Sequence, residues 1–336
     1  MAENFSQILQ RLYPLHAQPD GTLYAEAHGP HFIVVTKSFN RLRLWILDQD
    51  QPNSGVVQSE MALDNPLYLV DPYTQAAILG LCWQPTPQRI YCAGLGGGRV
   101  PMLFHHYLPT ATIDCTEIDP AVIDMATRFF GLGLDERLQV HIADGRGWLE
   151  KSAPYDLIFV DVFLDRGYIP YRMSTVEFYQ CCRQQLTPGG ILVINLLSED
   201  QFLPQRVRTL CEVFAGVAIC TLDEGNTLLY ASTMPLDLPI LIERAIALQQ
   251  THHFAFPLAT LALGLQPDLA KAGLDLAELT PLYDATPPVG YFDSLPALTD
   301  LAIPVDAALP CPCGSGQPYE HCHGQTAETP TTLASL

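Results

Sequence analysis

The feature that most constrains this fold is a regular alternation of short apolar strands and amphipathic helices, which begins near residue 75. A helical segment at 75–82 precedes strands predicted at residues 89–93, 112–117, 138–142, 155–161 and 191–196. Helices are predicted near residues 100–108, 121–130, 174–186 and 202–214. Because parallel strands need long crossover connections, this order predicts an α/β fold with a Rossmann-like, doubly wound, mostly parallel sheet. Strands at 217–221 and 227–232 are predicted to close it as an antiparallel pair, which gives seven strands.

The segments on either side of this alternation have a different character. Short β-branched and aromatic runs in residues 1–70 are separated by turn residues such as Gly29-Pro30, so antiparallel β-hairpins are expected there. After residue 245 prolines interrupt a weak helical periodicity. We therefore expect five segments: a β-hairpin domain at 1–70, a Rossmann-like domain at 71–235, a helical linker at 236–308, a small cysteine-rich knuckle at 309–324 and a disordered end at 325–336.

Composition narrows the class of protein. The 336 residues are 48% hydrophobic and 16% charged, which is typical of a globular chain. Basic residues number 17 and acidic residues 36, and the resulting net charge of −19 argues against binding to nucleic acid. No run of 18 apolar residues is present, so we expect a soluble cytoplasmic protein without a membrane partner. Cysteines inside apolar strands, such as Cys92 and Cys115, are typical of buried free thiols.

A glycine-rich turn follows the first predicted strand of the alternation. Its four glycines allow a close approach of the backbone to a ligand: Gly94, Gly96, Gly97 and Gly98. Glu117 ends the next strand, about 20 residues further on, where an acid can accept hydrogen bonds from both hydroxyls of a ribose. The pattern predicts a nucleotide site at this edge of the sheet, and the alternative is a tight turn that serves only the chain itself.

Two more carboxylates end later strands. Asp144 precedes Gly145 after the third strand of the alternation, and Asp161 follows the fourth. Because the carboxyl ends of parallel strands meet at one edge, both side chains are expected beside Glu117 in one pocket. The alternative is a helix N-cap for Asp144 and a loop cap for Asp161.

In combination these motifs resemble the spermidine synthase family over about residues 20–235. The family consists of polyamine aminopropyltransferases with the class I S-adenosylmethionine-dependent methyltransferase fold. The resemblance rests on Asp64-Asn65-Pro66-Leu67-Tyr68, Gly94-Leu95-Gly96-Gly97-Gly98, Glu117-Ile118-Asp119-Pro120, Asp144-Gly145-Arg146, residues 155–161 and Leu186-Thr187-Pro188-Gly189-Gly190.

The resemblance implies roles for individual residues. It places Glu117 on the ribose, Asp144 at the adenine amino group and Asp161 at the reacting centre. The catalytic set that it suggests is Asp161, Asp165 and Tyr68. The set that would bind S-adenosylmethionine or its decarboxylated form is Gln58, Gly94, Gly96, Gly97, Gly98, Arg99, Glu117, Asp144 and Gly145. The resemblance also implies a small amine acceptor, such as a polyamine, and a homodimer.

The chain departs from the family pattern in two places. Aminopropyltransferases follow the glycines with Asp-Gly, whereas this chain has Arg99-Val100. An arginine would repel the ammonium of the decarboxylated nucleotide and can donate to the carboxylate of the intact one. The acids Asp161 and Asp165 are four positions apart instead of three. The stretch 167–175 is instead similar to an uncharacterised spermidine-synthase-like branch.

Near the C-terminus four residues have the spacing of zinc ligands: Cys311, Cys313, Cys322 and His323. Three thiolates and one imidazole complete a tetrahedral structural site, and zinc binding can fold a segment too short for its own core. The alternative is a set of reactive or disulfide-bonded cysteines. This segment resembles the SEC-C motif, which implies zinc and a protein partner.

The leading hypothesis is therefore a spermidine synthase-like transferase that moves a group from an adenosyl sulfonium to a small amine. A small-molecule methyltransferase that uses intact S-adenosylmethionine is the first alternative. The second is a non-catalytic nucleotide-binding adaptor that acts through its zinc motif.

Overall fold

The computed structural model describes residues 5–28, 31–48, 55–163, 169–223, 225–288 and 291. The chain begins with helix α1 (Phe5–His16), which the sequence analysis did not predict. A four-stranded antiparallel sheet follows, with strands in sequence order: β1 (Gly21–His28), β2 (His31–Ser38), β3 (Arg41–Asp48) and β4 (Gly55–Ala62). Ile8 and Leu12 of α1 are buried and join the main core, which attaches this N-terminal unit to the rest of the protein.

A second sheet carries the predicted alternation. Its strands are β5 (Arg89–Ala93), β6 (Thr112–Glu117), β7 (Leu138–Ile142), β8 (Tyr155–Val160), β9 (Leu186–Leu197), β10 (Gly216–Thr221) and β11 (Asn226–Ser232). The α-helices are α2 (Pro72–Ala77), α3 (Arg99–Tyr107), α4 (Pro120–Phe129), α5 (Gly145–Leu149), α6 (Val176–Gln184), α7 (Leu203–Val213), α8 (Leu238–His252) and α9 (Leu258–Ala262). Short 3-10 turns lie at Ile78–Cys82 and Tyr171–Met173.

The strand order is β10-β11-β9-β8-β5-β6-β7. Strands β5 to β9 pair in parallel, and β10 and β11 add an antiparallel edge. The structure confirms the predicted doubly wound, mostly parallel seven-stranded sheet, which follows an N-terminal antiparallel unit in the chain. The order reverses between β5 and β8, which is the switch point where such sheets bind ligands.

The central strands are apolar because helices cover both faces of the sheet. In β8, for example, Leu157, Ile158 and Phe159 are all buried. Leu157 and Phe159 belong to one apolar cluster and Ile158 to the other, because successive side chains of a strand point to opposite faces of the sheet. Within the segment that the sequence predicted as a helical linker, residues 238–252 form the long helix α8. Leu241, Ala245 and Leu248 of α8 are buried in the main core, so this helix covers the sheet like the others.

Several sequence predictions fall outside the part of the chain that the structure describes. These are Asp165, the first two residues of the stretch 167–175, the zinc motif at 309–324 and the end at 325–336. Within the described ranges no helix has both the length and the apolar character needed to cross a membrane.

Candidate active site

A cavity of about 220 Å³ lies between the carboxyl ends of β5, β6 and β8 and the N-terminal sheet. The strand ends contribute Gly94, Glu117 and Asp161. Ile33 and Leu44 of the antiparallel sheet form part of the opposite wall. The two sheets therefore enclose the cavity together, and the carboxylates predicted from separate strand ends do line one pocket.

The glycine turn is shaped by contacts within the protein as well as by the cavity. Gly94 has a φ of 89°, and a Cβ atom there would overlap the carbonyl oxygen of Asp161. A Cβ on Gly97 would lie 2.8 Å from the Cβ of Ser59, whose Oγ accepts a hydrogen bond of 2.8 Å from the Gly97 amide. Gly94 and Gly96 line the cavity, whereas Gly98 faces the side chain of Leu132. The tight-turn alternative thus describes part of what these glycines do.

Glu117 is held by backbone amides at the end of β6. Its Oε1 accepts hydrogen bonds from the amides of Ile118 (2.8 Å) and Asp119 (3.0 Å), and its Oε2 accepts one of 3.2 Å from the amide of Leu95. Burial raises the pKa of Glu117, while the amides of Asp119 and Leu95 act in the opposite direction. The carboxylate is thereby fixed on the cavity wall, an arrangement that suits recognition of paired hydroxyl groups.

Asp144 and Gly145 lie at the start of α5 and line the cavity. Oδ2 of Asp144 accepts a hydrogen bond of 2.7 Å from the amide of Gly147, so this residue is the helix N-cap that the sequence offered as an alternative. A Cβ on Gly145 would lie 3.1 Å from the hydroxyl of Tyr91 and would crowd the strands beneath.

Asp161 follows β8 and has partners that the sequence analysis did not identify. Its Oδ1 accepts a hydrogen bond of 2.8 Å from Nδ2 of Asn195, and the hydroxyl of Tyr73 also hydrogen-bonds to it. Burial raises the pKa of Asp161 to about 6, although these two hydrogen bonds oppose the rise. The carboxyl is therefore a stronger base than an ordinary aspartate.

The sequence contains a signal that could have identified Asn195 as a site residue, but none that could have identified Tyr73. Asn195 is the one polar residue in the apolar run 191–197 of β9, and a buried polar side chain in such a run signals a functional or hydrogen-bonded position. Tyr73 is in the first turn of α2 and lines the cavity. Nothing in its neighbourhood distinguishes it from a core tyrosine.

Two residues suggested by the family resemblance occupy different environments. Gln58 lines the cavity from β4. Tyr68 is partly buried and packs against the main core, and it is absent from the described lining of the cavity. Its catalytic role stays a prediction, and Tyr73 occupies the position beside Asp161.

Arg99 starts α3 and is buried at the cavity wall. One terminal nitrogen donates to the carbonyl of Phe130 at 3.3 Å, and the other donates to the carbonyl of Pro66. Its buried Nε has no acceptor among the described residues. Burial lowers the pKa of Arg99 to about 10, and the charge of Asp71 acts in the opposite direction. A contact with a ligand carboxylate stays a prediction.

The two sheets are also joined across the cavity by a contact between a histidine and a carboxylate. Nε2 of His28, at the end of β1, lies 3.0 Å from Oδ2 of Asp119, the residue that caps α4. Both residues line the cavity. The described residues contain no cluster of three or more histidine, cysteine or acidic side chains arranged to hold a metal ion.

Two family models match parts of this chain. Residues 76–217 match the spermine/spermidine synthase domain, and residues 309–325 match the SEC-C motif. The chain is 35% identical over 147 residues to a polyamine aminopropyltransferase of Vibrio vulnificus, which covers 43% of this chain and 49% of that protein.

Methyltransferases are matched as well. The chain is 32% identical over 208 residues to the eEF1A lysine and N-terminal methyltransferase of Homo sapiens, covering 55% of this chain and 30% of that protein. It is 31% identical to the crystallised human methyltransferase-like protein 13 in complex with SAH, with a TM-score of 0.51, covering 54% of this chain and 92% of that one. The chain thus spans half or less of the length of both curated relatives.

Proposed function

We propose, from the premise that residues 76–217 of this chain form a domain of the spermine/spermidine synthase family, that the protein transfers an alkyl group from an adenosyl sulfonium to an amine. The observation that carries this proposal is the environment of Asp161. A carboxyl at the switch point of the sheet, with two hydrogen-bond donors and a pKa raised by burial to about 6, is suited to orient an amine and take its proton.

The transfer itself asks little covalent chemistry of the protein. The lone pair of the amine attacks the carbon bound to the sulfonium, the carbon–sulfur bond breaks, and its electrons return to sulfur as a neutral thioether leaves. The proton lost by the amine goes to Asp161. Because an alkylammonium has a pKa near 10.4, the enzyme must supply a desolvated site and a base at the point of attack.

The residues around the cavity divide this work. Glu117, fixed by three amides, would accept hydrogen bonds from the ribose hydroxyls, and Gly94 and Gly96 would let the nucleotide approach the backbone. Asp144 would face the adenine amino group. Asp161, with Tyr73 and Asn195, would hold the acceptor nitrogen. These nucleotide contacts are the ones that the family resemblance implies.

Methyl transfer from intact S-adenosylmethionine is favoured over aminopropyl transfer by Arg99. Its Nε–H is buried without an acceptor among the described residues, and a carboxylate from the ligand would supply one. The decarboxylated nucleotide carries only an ammonium on the same tail, which a guanidinium repels.

The deciding experiment identifies the thioether product. The protein is incubated with intact or decarboxylated S-adenosylmethionine and with putrescine or a lysine-containing peptide as acceptor, and the nucleotides are separated by mass spectrometry. S-adenosylhomocysteine signals methyl transfer, and methylthioadenosine signals aminopropyl transfer. Calorimetry on both nucleotides is expected to show tighter binding of the intact form, with a smaller gap in Arg99→Asp. The proposal would be refuted if neither thioether formed and neither nucleotide bound. Nucleotide binding without either thioether would favour the adaptor alternative.

The C-terminal SEC-C motif supports a second, structural proposal. Cys311, Cys313, Cys322 and His323 would hold one zinc ion per chain, because three thiolates and an imidazole are a preferred structural zinc set. The folded motif would serve as a contact for a protein partner. We further propose that the protein is cytoplasmic and that it forms a homodimer, and light scattering tests the dimer directly.

A further inference from the structure

A short segment near the end of the described chain packs against residues 171–177, next to the part of the cavity wall formed by Pro170 and Met173. We call residues 282–288 together with Tyr291 the C-terminal strap; it lies outside the matched domain. Leu282 and Tyr291 are buried and form a small apolar cluster with Tyr171. The amide of Val176 donates a hydrogen bond of 2.8 Å to the carbonyl of Leu282. The strap is therefore anchored at both ends to the elements that follow β8.

Asp284 lies at the centre of the strap and receives several charged or polar donors. The guanidinium of Arg146 makes a paired contact with both carboxylate oxygens, at 2.9 and 2.8 Å. The hydroxyl of Thr175 donates at 2.7 Å, and Arg172 approaches at 3.4 Å. The backbone amide of Asp284 donates to Oε2 of Glu177 at 3.0 Å.

These partners lie on two elements that border the cavity. Arg146 is in α5, whose N-cap Asp144 lines the cavity. Arg172 and Thr175 flank Met173, which lines the cavity together with Pro170. Asp284 thus joins α5 to segment 169–175, which contributes Pro170 and Met173 to the cavity wall.

The charges explain why this junction needs an acid. Arg146 is buried, and its terminal nitrogens donate to Asp284 and to the carbonyl of Arg172. Nε of Arg146 also contacts Oε1 of Glu150 at 3.2 Å, but Asp284 is the carboxylate that contacts both Arg146 and Arg172. Without a negative charge at 284, these two guanidinium groups would lose the acid that they share. Segment 169–175 would then lose the contact that fixes it against α5.

We propose that Asp284 is a positioning residue that holds segment 169–175 as the acceptor wall of the cavity. This inference rests on the proposed function, because a segment can be assigned to acceptor binding only if the protein transfers a group to an acceptor. Loss of the Asp284 charge should therefore weaken acceptor binding and have little effect on nucleotide affinity. A residue that only stabilised the fold would weaken both.

The test compares Asp284→Asn with Asp284→Glu, which keeps the charge. The control is Asp275→Asn, because the Asp275 carboxylate accepts a hydrogen bond only from the nearby amide of Ala277 among the described residues. For Asp284→Asn we expect the KM for the acceptor that the parent uses to rise about ten- to hundredfold. The kcat and the affinity for S-adenosylhomocysteine, measured by calorimetry, should stay within about threefold of the parent. Asp284→Glu should recover part of the loss.

Amide hydrogen exchange provides a readout that does not depend on turnover. Exchange in 169–176 is expected to become faster in Asp284→Asn while β5 and β6 keep their protection. An unchanged KM, equal losses for acceptor and nucleotide, or faster exchange throughout the molecule would overturn the inference. If the parent neither binds the nucleotide nor transfers a group, the proposed function has failed. Hydrogen exchange still decides whether Asp284 holds segment 169–175. An exchange rate in 169–176 that is unchanged in Asp284→Asn would overturn the positioning role of Asp284.

Discussion

Replacing Asp161 by asparagine is expected to abolish transfer and, at the same time, to stabilise the fold by an amount that grows with pH. The parent carboxyl is buried, and its pKa is raised from 3.8 to about 6. At 1.36 kcal/mol for each pKa unit, its charged form costs the folded state about 3 kcal/mol. Asparagine has a similar shape and carries no charge, so it does not incur this cost.

The sign follows from proton linkage. Because the folded protein binds the Asp161 proton more tightly than the unfolded chain, the parent loses stability as pH rises from about 4 to about 6. The loss is complete above the folded pKa and absent well below the unfolded one. About half of it has developed at pH 5, so the advantage of Asp161→Asn should grow by about 1.5 kcal/mol between pH 5 and pH 8.

Urea unfolding of both proteins at these two pH values measures the difference directly. Asp156→Asn is the matched control, because its carboxyl behaves in the opposite way. Although burial opposes it, hydrogen bonds from Thr187 and from the amides of Arg89 and Gln88 lower the pKa of Asp156. Its removal should therefore destabilise the fold at neutral pH. A stability difference between Asp161→Asn and the parent that does not change with pH would refute the reasoning.

Three further outcomes test the rest of the site. Glu117→Gln should weaken S-adenosylhomocysteine binding at least about tenfold by calorimetry, since the ribose loses a charged acceptor; an unchanged affinity would remove Glu117 from the nucleotide site. Tyr73→Phe should lower kcat about tenfold with nucleotide affinity retained, while Tyr68→Phe, outside the described cavity lining, should have little effect; the reverse order would restore Tyr68 as the catalytic tyrosine. Metal analysis should find about one zinc per chain in the parent and less in Cys313→Ser, whereas equal zinc in both would exclude Cys313 as a ligand.

The sequence by itself determined the sheet and the position of the site. Strand and helix segments alternate locally, and right-handed crossovers leave few ways to arrange them. Because every parallel strand then ends at the same edge, Glu117, Asp144 and Asp161 could be placed in one pocket without coordinates. The sheet and the position of its ligand-binding edge were predicted from two local patterns, the glycine-rich turn and the periodicity of the apolar residues.

Only the tertiary structure decided which side chains complete the site. Asn195 reaches Asp161 across 34 positions of sequence, and Arg146 reaches Asp284 across 138. No periodicity encodes such pairs, because each depends on how separate strands and segments pack against one another. The structure likewise gave the terminal nitrogens of Arg99 two backbone carbonyls, which the sequence did not predict, and left its Nε without an acceptor among the described residues. Local patterns specify elements and edges, whereas the partners of a buried charge are set by long-range packing.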